Sequence, residues 1–209
     1  MKITEKGQQK RKEIVKKVIA MLNVLDFKEA TVRKICDSVN ISIGTFYHYF
    51  SEKNDLITEI LKNIDSYFEA EVLPKLTSQD EIQNLIDFGL GFARYTNGIG
   101  SATGNIISTT SFPLPSTEED IKEEKERLLY KIPRDILTRG QEKGQIFQDI
   151  NVEDTVDLLI ISLRGHSLEW SRRNRVYPIE EKIRSFMFLF ARALSPRDIK
   201  IPEFKTRND

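Results

Sequence analysis

Apolar positions recur along this chain with the three- and four-residue spacing of helices, and no convincing stretch alternates with the period of two that marks a strand. Residues 4–25 predict a first helix, with Ile14, Val18, Met21, Leu22 and Leu25 on one stripe and Lys10, Arg11, Lys12, Lys16 and Lys17 over the rest. Thr31 is a candidate N-cap for a second helix over 31–39, whose inner face carries Ile35 and Val39. Asn40 tolerates the left-handed backbone of a helix stop, and Ile41 can fill the core behind it. Ser42 caps a third, very short helix over 43–50. Ser51 is placed to cap a fourth, with Glu52 and Asp55 in a first turn where the helix dipole favours negative charge. That helix carries Leu56, Ile57, Ile60, Leu61, Ile64, Tyr67 and Phe68, and Pro74 ends it.

Residues 79–95 predict a further amphipathic helix through Ile82, Leu85, Ile86, Phe88 and Phe92. Gly98, Gly100 and Gly104 then weaken the helical run, and the segment from Phe112 to Thr117 reads as a loop. Helix resumes near Glu118, with distortion expected at Pro133 and a stop at Gly140 and Gly144. Asn151 caps a long helix to about Arg173, and Pro178 opens a last one that ends near Leu194. The expected fold class is all-α, as a three-helix head over residues 1–52 and a larger helical domain over 53–209.

Composition narrows the function. Of 209 residues, 39 % are hydrophobic and 31 % charged, an ordinary globular balance. No apolar run reaches membrane-spanning length and residues 1–17 lack a signal-peptide core, so the expected location is the cytoplasm, with no membrane partner. Cys36 is the only cysteine, which leaves neither an intrachain disulfide nor a cysteine zinc cluster, and no metal site is expected. The net charge is zero but uneven. Residues 1–50 hold ten Lys and Arg against five Asp and Glu, a net +5, while the other 159 hold twenty-two against twenty-seven, a net −5. A basic head on an acidic body suits a protein that presents one end to a polyanion.

Two short helices joined by a tight turn predict a helix-turn-helix, whose second helix enters the DNA major groove. That helix is rich in hydrogen-bonding groups: Ser42, Thr45, Tyr47, His48 and Tyr49. Hydroxyls and helix N-termini bind phosphate, whereas His can meet phosphate or base. Gly44 allows close backbone approach, and Arg33 and Lys34 add a guanine and a phosphate contact. Enzyme chemistry has little support. The two histidines, His48 and His166, have no nucleophile pattern around them, and Gly98-x-Gly100-x-x-x-Gly104 follows no strand and lacks dinucleotide-loop spacing.

The run Ala30-Thr-Val-Arg-Lys-Ile, followed by Val39-Asn-Ile-Ser-Ile-Gly-Thr-Phe-Tyr-His-Tyr-Phe-Ser-Glu-Lys-Asn-Asp-Leu56, strongly resembles the TetR family of bacterial transcriptional regulators. The resemblance covers about residues 10–60. It departs at Cys36, where the family has a small alanine, and at Asn40, where the family has a turn glycine. It implies that Arg33 approaches a base or phosphate and that Thr45 and Tyr47 bond phosphates. Ile43, Gly44, His48 and Tyr49 would face the groove, Lys53 would sit on the DNA backbone, and Phe46 and Phe50 would be core.

The resemblance also implies a homodimer on a palindromic double-stranded operator, a C-terminal effector-binding and dimerisation domain, and repression relieved by a small molecule of unspecified identity. No other cofactor is expected. Part of this has support in the residues. The last helix is apolar all round at Phe186-Met-Phe-Leu-Phe-Ala191, so it must be buried on more than one side, either by pairing with helix 152–173 in a four-helix contact between subunits or as the central helix of a monomeric core. Leu163, Ile183, Phe186, Met187 and Phe190 are the candidate interface residues. Phe88, Phe92, Tyr95, Phe112, His166 and Trp170 are candidates to line an apolar effector cavity. Arg164 on a mostly apolar helix, if buried, needs a partner, which an acidic effector or, in preference, a neighbouring Glu could supply; simple exposure is the other reading. The alternative is a helix-turn-helix regulator that senses no small molecule and answers to a protein partner or to its own concentration.

Overall fold

The computed structural model describes residues 5–22, 30–53, 55–99 and 117–201. These form helices α1 (Glu5–Leu22), α2 (Val32–Val39), α3 (Ile43–Tyr49), α4 (Asp55–Tyr67), α5 (Glu81–Ile99), α6 (Glu118–Lys125), α7 (Leu128–Glu142), α8 (Val152–Arg172) and α9 (Ile179–Leu194). No strand occurs among the described residues. They fall into two compact units, one ending at Ile64 and one built from Asp65–Gly98 together with residues 117 onward, so the division lies inside α4.

In the first unit, Ile14, Val15, Val18 and Ile19 of α1 are buried with Ile35, Cys36 and Val39 of α2, Phe46 and Phe50, and Leu56 and Ile64 of α4. The fourth helix starts at Asp55, later than the sequence pattern suggests. Ser51 is not its cap: the Asp55 carboxylate accepts the backbone N–H groups of Ser51 at 2.6 Å and Glu52 at 3.2 Å, reaching back from the helix itself. An aspartate there suits the helix dipole and also ties down the turn that leads into the helix.

In the second unit, α-helical geometry gives way at Phe68 to a π turn (Phe68–Val72) and then a 3-10 turn (Leu73–Lys75) that contains Pro74. α5 extends past the predicted stop, with Gly98 inside it; Gly100, Gly104 and the loop from Phe112 to Ser116 lie outside the described residues. The break after residue 118 comes at Arg127, which adopts an extended backbone, and not at Pro133. Pro133 sits inside α7, where it removes a single hydrogen bond from the second turn while its ring is buried. α8 and α9 begin as expected, at Asn151, whose side chain accepts the Asp154 N–H at 3.1 Å, and at Pro178.

The core of this unit takes Phe68 and Val72, Leu85 and Phe88 of α5, Ile136 and Leu137 of α7, Leu159, Ile160 and Leu163 of α8, and Ile183 and Met187 of α9. Met187 packs where α5 has Gly89, a position at which any Cβ would collide with the Met187 side chain. Leu163, Ile183 and Met187 therefore fill this chain's own interior and are not free to form a subunit surface. The apolar positions on the outside of the same two helices are Leu158, Ile161 and Leu189, at 60, 65 and 56 % exposure, with Phe186 and Phe190 half-buried beside each other at 5.5 Å between ring centroids. Among the described residues no helix is long and apolar enough to cross a membrane.

Candidate nucleic-acid interface

The reader is built by its caps. Thr31 has an extended backbone, and its hydroxyl accepts the Lys34 N–H at 3.2 Å to start α2. Asn40 stops α2 in the left-handed conformation, φ 57° and ψ 57°. That geometry turns the chain so that the Ile41 N–H reaches the Cys36 carbonyl at 3.0 Å, the same oxygen that accepts the Asn40 N–H, and this closes the helix end. Ser42 follows with an extended backbone, and its hydroxyl accepts the Thr45 N–H at 3.0 Å to start α3. Two caps and one left-handed residue thus fix the turn with local bonds alone.

α3 turns Phe46 inward, against Phe50 at 5.3 Å between ring centroids. The opposite side is open. Ser42, Ile43, Gly44, Tyr47 and His48 are exposed, Tyr47 at 54 %, and Thr45 and Tyr49 are half-buried. The His48 and Tyr49 rings meet edge-on at 4.9 Å. A Cβ on Gly44 would meet only the Ser42 hydroxyl, at 3.8 Å, so no contact within the chain demands a glycine there. Arg33 and Lys34 are exposed at the start of α2, and Lys53 is half-buried ahead of α4. The fold therefore gathers onto and beside one short helix the hydroxyls, imidazole and cations singled out from sequence, with a close-approach glycine between them. Such a surface can bond phosphates and base edges in a groove. Cys36 is buried, and burial with Asp37 nearby pushes its thiol pKa up, so it behaves as a small core residue.

The effector candidates in the second unit separate. Phe88, Phe92, Tyr95 and Trp170 are all buried. Phe88 stacks with Phe68 at 5.3 Å, and Tyr95 with Tyr67 at 5.1 Å; burial pushes the Tyr95 hydroxyl pKa up. Trp170 donates its indole N–H to the Tyr177 carbonyl at 2.8 Å, and Arg175 lies 5.2 Å over its ring. Arg164 pairs with a neighbouring acid, Glu124 of α6, at 2.7 Å, and lies 5.7 Å from the centre of the Tyr130 ring. His166 is half-buried against Phe186 at 5.1 Å; burial and then Lys182 lower its pKa. Phe112 lies outside the described residues.

A cleft of about 340 Å³ lies elsewhere, between the start of α5 and α7, and its lining includes none of these candidates. Its floor is Glu81, only 2 % exposed. The Glu81 carboxylate accepts Arg139 Nε at 3.0 Å, Lys143 Nζ at 2.8 Å and Asn84 Nδ2 at 3.0 Å. Burial works to raise its pKa, but these donors prevail and hold it down to about 2. The sequence signal for this cluster, one Glu at a helix start, is too common to stand out.

The sequence profile described as "Bacterial regulatory proteins, tetR family" matches residues 21–60, the stretch that holds both helices of the reader. The HTH-type transcriptional regulator BetI of Escherichia coli is 24 % identical over 84 residues, 37 % of this chain and 43 % of that protein. Residues 21–60 are thus similar to the N-terminal DNA-binding region of TetR-family regulators. The fold of the chain is similar over most of its length to two solved regulators. The fatty acid degradation regulator FadR of Bacillus halodurans superposes with a TM-score of 0.74 at 16 % identity, over 87 % of this chain and 94 % of that one. FadR of Bacillus subtilis, solved in complex with stearoyl-CoA, superposes with a TM-score of 0.72 at 17 % identity, over 86 % and 97 %.

Proposed function

We propose that this chain is a TetR-family, sequence-specific DNA-binding transcriptional regulator, a homodimeric repressor of the cytoplasm that a small-molecule effector releases from its operator. The observation that carries the reading is α3: a capped helix with one inward face and an outward face of Ser42, Ile43, Gly44, Tyr47 and His48. In this reading Thr45 and Tyr47 bond phosphates, His48 and Tyr49 face the bases, and Arg33, Lys34 and Lys53 anchor the flanking backbone. The functional division is a reader over residues 1–52 and an effector and dimerisation domain over 53–209.

Two copies meeting through Leu158, Ile161, Phe186, Leu189 and Phe190 would place two readers in successive major grooves, about 34–36 Å apart on a palindrome. An effector that favours a different spacing of the two readers lowers operator affinity by its unequal affinity for the two states. The stearoyl-CoA complex of FadR from Bacillus subtilis, whose fold is similar, supports a small-molecule effector.

The deciding experiment is selection of random duplex DNA by the purified chain at two salt concentrations. The expected result is an enriched palindrome whose binding weakens steeply with salt. Uniform weak binding with no enrichment, in protein that mass spectrometry finds free of small molecules, would overturn the reading.

A further inference from the structure

Arg11 is one of the basic residues of the head, and charge alone would assign it to phosphate. Its surroundings point elsewhere. Arg11 Nη2 lies 3.2 Å from Glu59 Oε1 on α4, and the two side chains are only 27 % and 16 % exposed. The guanidinium carbon lies 5.2 Å from the centre of the Phe50 ring. Among the described residues its Nε has no hydrogen-bond partner and is shielded from solvent. One side chain of α1 thus touches both α4 and the residue that ends α3.

Phe50 is the C-cap of the recognition helix: its N–H closes the last turn on the Phe46 carbonyl at 2.9 Å, and its ring is 1 % exposed. Phe46 and Phe50, four residues apart, form the inward side of that turn, while Tyr47 and His48 are exposed. A shift of the Phe50 ring is therefore a rotation or slide of the side chains proposed to read DNA. A guanidinium over an aromatic face is attracted to it, more strongly when partly desolvated. The Glu59 carboxylate, 3.2 Å from Nη2, fixes where that guanidinium stands, and a lysine ammonium cannot reproduce the planar guanidinium's contact with the ring.

We propose that Arg11 is a positioning residue for the recognition helix: stacked on Phe50 and paired with Glu59, it fixes α3 against α1 and α4 and sets operator affinity without touching DNA. The proposal rests on the DNA-reader reading above for its functional consequence, but its structural half stands without DNA.

The test uses the full chain with Arg11→Met, Arg11→Lys, Glu59→Gln and the Arg11→Met/Glu59→Gln double variant. Binding is measured on the duplex that the wild-type chain selects from random sequence, across a salt series. Amide exchange over residues 43–50 is measured in the free proteins. The expected result is a roughly tenfold loss for Arg11→Met and for Glu59→Gln, with the double variant no worse than the first, because both remove one coupled unit. Arg11→Lys should recover only part of the loss. The slope of affinity against salt should stay at the wild-type value, and α3 amides should exchange faster in each weakened variant.

A salt slope smaller by about one in Arg11→Met, with Glu59→Gln binding as tightly as wild type or tighter, would make Arg11 a phosphate contact and overturn the proposal. Unchanged affinity and exchange in both variants would overturn it as well. Should Arg11→Met fail to fold, the near-isosteric Glu59→Gln decides. Should the wild-type chain select no duplex, the regulator reading fails, and the exchange of residues 43–50 still decides whether the pair positions α3.

Discussion

Thr45 donates its backbone N–H to the Ser42 hydroxyl at 3.0 Å, and its own hydroxyl lies 2.8 Å from the same oxygen. The cap that starts the recognition helix thus also orients a side chain proposed to hold phosphate. Ser42→Ala should destabilise the head by about 1 kcal/mol and also weaken operator binding, because the Thr45 hydroxyl loses its anchor. Urea denaturation and a binding titration together check this. A stability loss with unchanged affinity would confine Ser42 to capping.

Asn40 holds the left-handed turn between α2 and α3 at φ 57°. Asn40→Gly removes the remaining Cβ strain and should leave stability equal or raised by a few tenths of a kcal/mol. Asn40→Val places a branched side chain in that conformation and should cost about 1–2 kcal/mol. The urea midpoints of the two variants, at constant slope, are the measurement.

Tyr47 and His48 are neighbours on the exposed side of α3 with different proposed partners. Tyr47→Phe removes one hydroxyl from phosphate and should weaken binding to every duplex alike, by about fivefold. His48→Ala should alter which bases are preferred at one position of each half-site. Repeating the DNA selection with each variant separates the two effects, and if neither change affects binding the reader assignment is wrong.

The outer face of α8 and α9 gives a prediction about assembly. Ile161, at 65 % exposure, can accept Asp without disturbing the chain's own core. In a dimer the same carboxylate would be buried without a partner, so Ile161→Asp should raise the dissociation constant at least about 30-fold. Sedimentation should find monomers of unchanged helix content. Leu163→Asp, two residues on but fully buried, should instead unfold the second unit.

Glu81 ties α5 to α7 through Arg139 and Lys143. Its carboxyl pKa is depressed from 4.5 to about 2 in the folded chain. A depressed carboxyl contributes stability that is fully present above the unfolded value and lost as pH falls through the folded one. The second unit should therefore lose this contribution between about pH 4.5 and pH 2. Glu81→Gln should lose about 2 kcal/mol at neutral pH and flatten the acid limb of the stability curve, as followed by thermal unfolding across pH.

What the sequence determined here is what short-range forces determine. The helical class follows from apolar spacing, and the reader follows from Thr31, Asn40 and Ser42, each of which bonds or bends within five residues of itself. Even so, the sequence pattern misplaces the start of α4: it puts Ser51 at the cap, but the helix begins at Asp55, whose carboxylate accepts the Ser51 and Glu52 N–H groups of the turn before it.

Tertiary structure decided what depends on distant partners. α9 is apolar on all sides over residues 186–191, so periodicity alone could not tell that Met187 faces inward while Leu189 faces out; the close approach of Met187 to Gly89 on α5 sets that rotation. For Arg164 the sequence favours a neighbouring Glu or plain exposure over an effector, but only the fold names the partner, Glu124, forty residues away. Glu81 with Arg139, and Arg11 with Glu59, are likewise pairs between separate helices. A helix's own bonds fix which residues share a stripe, but only packing against other helices fixes which way that stripe points and which charges it brings together.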